Sequence, residues 1–267
     1  MYSQEYKQKL VSADEAVKVV KSGDIVDYGF FCGKPVVVDQ ALARRTDLRD
    51  VQIYSAVTVP PVPETAKVKD SFIYNDWQFS KISRVLQSYG LCNYVPILYH
   101  DACRLYRDGI APHRNVAIAQ VCPMDKYGYF NLGPQNSETL ANMEVADTVI
   151  VEVNKNQPKC LGGAEESVHI SMVDYIVEAP DDQMLPDLPG IKPNEVDWAI
   201  AKHIMEFIHD GCCIQLGIGG MPGAVGTAIA QSDLKKLGGH TEMFVDAYVD
   251  MMEAGRMNCM AKNIDRG

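Results

Sequence analysis

Several chemistries are missing from this sequence. None of its eight cysteines, Cys32, Cys92, Cys103, Cys122, Cys160, Cys212, Cys213 and Cys259, forms a C-x-x-C pair, which argues against a structural zinc site or a dithiol redox motif. Cys212 and Cys213 are adjacent in an apolar segment, where a strand points neighbours to opposite faces. Reduced, buried thiols and a cytoplasmic setting are therefore expected. The six histidines make no metal pattern: His203 and His209 are six apart, and no H-E-x-x-H occurs. There is no G-x-S-x-G elbow and no legible Ser-His-Asp triad, and Ser232 reads as an ordinary helix end. No apolar run reaches the length of a membrane span. The first twenty residues are charged and amphipathic, without the apolar segment of a secretory leader. Basic residues are in deficit, 25 against 35 acidic, for a formal net charge of −10. With no Lys/Arg cluster either, general affinity for nucleic acid is excluded, though a local basic pocket for a phosphorylated ligand is not.

What is present is a globular α/β pattern. The chain is 47% hydrophobic and 22% charged, and at 267 residues it can bury a sizeable core. Ser12 with Glu15 three residues on reads as a helix start running to about Lys21. Strands are expected over 24–30, 51–57, 94–99, 116–121 and 148–153, the last one central and buried. Helices are expected after Pro35, near 102–107 and over 137–144. Residues 58–80, which include Val59-Pro60-Pro61-Val62-Pro63, read as irregular. Strands alternating with helices predict a largely parallel, open sheet. The stretch 179–193 holds four prolines and a glycine and reads as a linker. It divides the chain into domains at 1–185 and 190–267. An amphipathic helix is expected over 194–209. Trp77 and Trp198 read as packing residues.

Residues 212–255 are the most informative. They predict a buried strand (212–216), a glycine turn (217–220), a helix opened by Met221-Pro222, and a second turn at Gly238-Gly239-His240-Thr241. Glu242 then heads an apolar run in which Met243, Phe244 and Val245 are expected to be buried, leaving the carboxylate partly desolvated. A glycine turn before a helix lets a ligand approach the backbone and favours negative charge. Met221-Pro222 replaces the Gly-Lys-Ser/Thr of a Walker loop, and Pro222 replaces the last glycine of the dinucleotide fingerprint. From these residues alone, Gly217, Gly219 and Gly220 are either an anion or oxyanion site or a tight strand-to-helix turn. Glu242 is either a reactive carboxylate or a solvated helix-cap acid. Asp246 and Asp250 read as ordinary polar positions or partners of Glu242.

The stretch LGIGGMPGAV…LGGHTEMFVDAYVDMMEAG resembles the glutamate-containing motif of the acetyl-CoA hydrolase/transferase family, and within it the 4-hydroxybutyrate and butyrate CoA-transferases. The likeness continues upstream, at Lys21-Ser22-Gly23-Asp24, at Cys122-Pro123-Met124-Asp125 through Phe130, at Glu152-Val153-Asn154 with Pro158, and at Val168-His169-Ile170-Ser171 through Glu178. It implies a CoA-transferase-like sheet domain followed by the first part of a second, similar α/β domain. It implies transfer of CoA between a short-chain acyl-CoA and a carboxylic acid such as acetate, butyrate or 4-hydroxybutyrate. Glu242 would be the nucleophile, passing through an acyl-glutamyl anhydride and a glutamyl-CoA thioester. Gly217, Gly219, Gly220, Met221 and Pro222 would form the substrate and oxyanion wall. Coenzyme A would be a substrate, and no resident cofactor or metal is expected. Family members are longer and carry a further G-V-G-G-Q-type segment that this sequence lacks. A homo-oligomer, or pairing with a separate C-terminal chain, is therefore expected. Acyl-CoA hydrolysis and a non-catalytic or split subunit are the alternatives.

Overall fold

The computed structural model describes residues 2–188 and 190–261. The chain divides into two compact units, Met1–Pro186 and Asp187–Gly267.

The first unit opens with α1 (Tyr2–Lys9) and α2 (Ala13–Ala16), and Ser12 Oγ accepts from Glu15 N as an N-cap. Because α2 passes at once into a 3-10 turn over Val17–Val19, the regular helix is shorter than the sequence suggests. The chain continues through β1 (Ile25–Phe30), α3 (Val37–Ala43), β2 (Val51–Ala56), β3 (Phe72–Asp76), α4 (Lys81–Ser88), β4 (Asn93–Tyr94), α5 (Ala102–Arg107), β5 (Val116–Val121), β6 (Tyr129–Asn131), α6 (Thr139–Val145), β7 (Thr148–Val153), β8 (Ser167–His169) and β9 (Tyr175–Glu178). The strands β4-β3-β2-β1-β5-β7-β9 form one sheet in that order, and every pairing is parallel. Strand order reverses between β1 and β5, the position at which open α/β sheets form a crevice at the strand carboxyl ends. Strands β6 and β8 pair separately and antiparallel.

Two strands show why this sheet sits in the middle of the unit. β5 (VAIAQV) is buried at every position and β7 (TVIVEV) at all but its first. Continuous apolar runs of this kind belong to strands covered on both faces. The charged residue within β7, Glu152, is fully buried and has a structural task. Its carboxylate accepts from Val36 N (3.0 Å), Val38 N (2.9 Å) and Gln183 Nε2 (2.9 Å). It thereby caps α3, which has no side-chain cap of its own. Across the sheet, the buried guanidinium of Arg114 lies between the rings of Tyr54 and Tyr106, 4.3 and 4.7 Å from their centroids, and donates to Asp27 (2.9 Å).

Several local expectations need correction. The region read as irregular contains β3, which pairs with β2 over five residues. The strand expected over 94–99 contracts to Asn93–Tyr94, because only these two residues find partners on β3. Helix α4, which the sequence left unassigned, starts in a capping box between Ser80 and Ser83.

The second unit contains α7 (Glu195–Met205), β10 (Cys213–Ile214), α8 (Gly220–Gln231), β11 (Gly238–Gly239) and α9 (Asp246–Glu253). Asn194 caps α7 by accepting from Val196 N and Asp197 N. The strand expected over 212–216 is only two residues long and half-buried. Gly238-Gly239 is not a turn but a strand, parallel to β10. A Cβ at Gly238 would lie 2.8 Å from that of Ala261, so glycine there serves close packing. One small core holds the unit together, built on Leu216, Ala224, Ile229, Leu237, Tyr248 and Met251.

Candidate active site

The predicted site residues gather at the carboxyl ends of the β10–β11 pair. After Leu216 the backbone runs exposed through Gly217 and Ile218 and turns into α8 at Gly219. Gly219 has φ +122°, a conformation open in practice only to glycine. Added Cβ atoms at Gly217 and Gly219 would meet nothing nearer than 3.9 Å, so the backbone of this turn is accessible. Gly220 is glycine for a different reason, since a Cβ there would lie 2.6 Å from Asp197 Oδ2. No side chain caps α8, and Pro222 in its first turn has no N–H to satisfy. The amides at the start of α8 therefore remain available to an anion, whereas those of α7 are taken by Asn194.

Glu242 follows β11 on a loop tied to the same end of the unit. His240 N donates to Ile214 O (3.1 Å). Thr241 Oγ1 donates to Met243 O (2.8 Å), with a longer approach to Leu216 O (3.3 Å). Beneath the loop, Tyr248 Oη accepts from Leu216 N (2.8 Å), and the Tyr248 ring stacks on Phe244 at 5.1 Å. The Glu242 loop is thus hydrogen-bonded to the strand end, Ile214 to Leu216, that leads into the glycine turn. Its carboxylate does not sit as the sequence suggested. Glu242 is exposed, Met243 and Val245 are only half-buried, and Phe244 is 64% exposed. The Glu242 side chain therefore stands open to solvent ahead of α9. Its side chain makes no hydrogen bond or ion pair among the described residues.

Beside the turn lies an apolar cavity of about 300 Å³, with Ile204, Ile208, Leu216, Gly217, Met221 and Pro222 in its wall. Gly217, Met221 and Pro222 therefore share a cavity that Gly219 and Gly220 do not line. Among the described residues there is no cluster of three or more His, Cys, Asp or Glu side chains that could hold a metal ion. No described helix is long and apolar enough to cross a membrane.

Sequence reasoning passed over two buried ionisable groups of the first unit. Burial pushes the Glu138 carboxyl up to about 8, helped by the nearby charge of Asp27. It pulls the Lys34 ammonium down to about 8, against the charges of Asp39 and Glu152. Nothing in the local sequence marks either position, because both are enclosed by segments distant along the chain.

This architecture is matched by solved structures. RipA from Yersinia pestis superposes with a TM-score of 0.85 at 29% identity, covering 96% of this chain and 61% of its own. A 4-hydroxybutyrate CoA-transferase from Porphyromonas gingivalis superposes at 0.75 with 29% identity, covering 97% and 60%. The fold is CoA-transferase-like α/β. The family model for the acetyl-CoA hydrolase/transferase N-terminal domain matches residues 1–186, and the chain belongs to that family. Among curated relatives, the butyryl-CoA:acetate CoA-transferase of Anaerostipes caccae is 48% identical over 269 residues, which is 99% of this chain and 60% of that protein. The 4-hydroxybutyrate coenzyme A transferase of Clostridium kluyveri is 33% identical over 264 residues, again 60% of its length. The chain spans about 60% of the length of these relatives.

Proposed function

We propose that this chain carries the nucleophile-bearing part of a CoA-transferase that moves CoA between a short-chain acyl-CoA and a carboxylic acid, with Glu242 as nucleophile. The observation that carries the proposal is the hydrogen bonding of the Glu242 loop to Ile214 and Leu216, the strand end from which the uncapped glycine turn departs. The names of the relatives support the substrate class.

A Glu242 oxygen attacks the thioester carbonyl. The C–S bond breaks, and the thiolate leaves with the electron pair, giving an acyl-glutamyl anhydride. The thiolate then attacks the glutamyl carbonyl, releasing the first carboxylate and leaving a glutamyl-CoA thioester. A second carboxylate attacks that thioester and forms a new anhydride. The expelled thiolate takes the new acyl group and restores Glu242. Each tetrahedral intermediate carries an oxyanion, for which the free amides at Gly219 and Gly220 are suitable donors. Anhydride and thioester are comparably activated, so no step needs a redox or metal cofactor. The apolar cavity beside Met221 and Pro222 suits a short acyl chain. The exposed apolar side chains of the second unit, Val196, Phe207, Ile218 and Phe244, suit coverage by further polypeptide.

The exposure of Glu242 favours a second reading, acyl-CoA hydrolysis, since water can reach the loop. The test follows loss of butyryl-CoA with and without acetate. Acetate-dependent formation of acetyl-CoA supports transfer. Acetate-independent release of free CoA at the same rate contradicts it.

A further inference from the structure

A cavity of about 580 Å³ opens in the first unit beside β4, the edge strand of the sheet. Trp77 and Phe79 line it from the segment after β3, Arg84 from α4, Tyr94 from β4, and Leu98 and Tyr99 from the segment beyond. Trp77 is buried and stacks on Tyr99 at 5.8 Å, while Phe79 meets Tyr94 edge-on at 5.2 Å. Tyr94 and Leu98 nevertheless stay more than half exposed, so the wall offers open apolar surface.

This surface also differs in charge from the rest of the chain. From Trp77 to His100 there is no Asp or Glu, in a sequence that holds 35 of them. Lys81 and Arg84 of α4 are exposed. The other described arginines pair with carboxylates or donate to carbonyls, and the Arg84 guanidinium does neither.

A complementary shape stands at the opposite edge of the same sheet. After β9 the chain makes a tight turn in which Gln183 N donates to Pro180 O (3.0 Å). Asn156 Nδ2 donates to the carbonyls of Asp181 (2.8 Å) and Gln183 (3.1 Å), and Gln183 Nε2 donates to the buried Glu152 (2.9 Å). The turn so pinned presents Met184, which is 72% exposed, and Asp182, whose exposed carboxylate makes no ion pair or hydrogen bond among the described residues. A thioether packs well on aromatic rings, and a carboxylate pairs with a guanidinium. A turn already ordered loses little entropy on docking. At roughly 4.8 Å per strand the two edges of the sheet lie about 30 Å apart, so a turn anchored to Glu152 cannot reach the cavity of its own chain.

We propose that the cavity beside β4 is a docking site for a second copy of this chain, which inserts Met184 among the aromatic rings and sets Asp182 against Arg84. The contact joins first units only and does not depend on the role of Glu242.

Sedimentation equilibrium of the full 267-residue chain tests it by charge exchange. Self-association that weakens with added salt is expected. Arg84→Glu and Asp182→Arg should each weaken it by about tenfold. An equimolar mixture of these two variants should recover it, because each reversed charge then meets its opposite. Met184→Ala should also weaken it by about tenfold, through loss of the apolar anchor. All three side chains are exposed, and circular dichroism of each variant confirms the fold. A monomer at every concentration, association that neither charge reversal alters, or reversals that the mixture fails to rescue overturns the proposal. A polypeptide supplying the remaining length of the relatives is the competing occupant. If it abolishes self-association and its own binding is weakened by Arg84→Glu, the cavity belongs to it and the proposal is likewise overturned.

Discussion

The two units solve the burial problem differently. The first surrounds a seven-stranded parallel sheet with apolar clusters and satisfies most of its buried charges, as at Arg114–Asp27 and Glu152. The second, among its described residues, pairs two residues with two in β10 and β11 plus a single bridge between Leu237 and Met257, packs one core, and leaves Phe207 81% and Ile218 68% exposed. The candidate nucleophile lies on the second. Stability is thus concentrated in one unit, while the proposed chemistry sits on a loop of the other that contributes little to its core.

The sharpest way to break this contrast is Glu242→Gln. Acyl transfer should fall by roughly 10⁴-fold or more, with unfolding free energy changed by less than about 0.5 kcal/mol, since the side chain is exposed and unpaired. Steady-state kinetics and urea unfolding together check it. A large loss of stability would show that Glu242 is structural.

The reverse experiment is Arg114→Met in the first unit. It strands Asp27 as a buried charge and should destabilise that unit by about 3–5 kcal/mol in urea melts. Amide exchange across α8 and α9 should be unaffected.

A pH series probes the same interior. Glu138 titrates near 8 when folded, against 4.5 as its ordinary value, so the folded state holds a proton that the unfolded state has lost between those values. Its contribution is complete below about 4.5 and is lost as pH rises to about 8. Glu138→Gln should therefore gain stability relative to the parent by up to about 1.4 kcal/mol per pH unit within that window. A constant difference between pH 5.5 and 7.5 would contradict the burial of this carboxyl.

The smallest effect is expected from Asn194→Ala, which removes the cap of α7. It should cost about 1 kcal/mol, visible as faster amide exchange at Val196 and Asp197 and not in the sheet of the first unit.

How far the sequence revealed this contrast depends on whether a segment carries its own signal. β5 and β7 were legible because continuous β-branched runs require burial on both faces. The Ser12 cap was legible because donor and acceptor lie three residues apart. β3 was hidden: it ends in Asn75-Asp76 and follows a proline-rich stretch, and only pairing with β2 makes it a strand. Gly238-Gly239 misled for the opposite reason, since glycines that suggest a turn are there to let Ala261 approach. At the candidate site, the glycine turn was legible in its φ requirement at Gly219. The exposure of Glu242 was not, because the burial of Met243 and Phe244 depends on where the loop bends after β11.

The central claim, that the open loop of the second unit carries a covalent nucleophile, is tested most directly by trapping. The chain is incubated with butyryl-CoA, alone and together with a polypeptide supplying the remaining length of its relatives, and then treated with borohydride. Peptide mass analysis should find the Glu242 carboxyl reduced to the corresponding alcohol, the mark of a glutamyl-CoA thioester. Folded protein with Glu242 unmodified under both conditions would contradict the account.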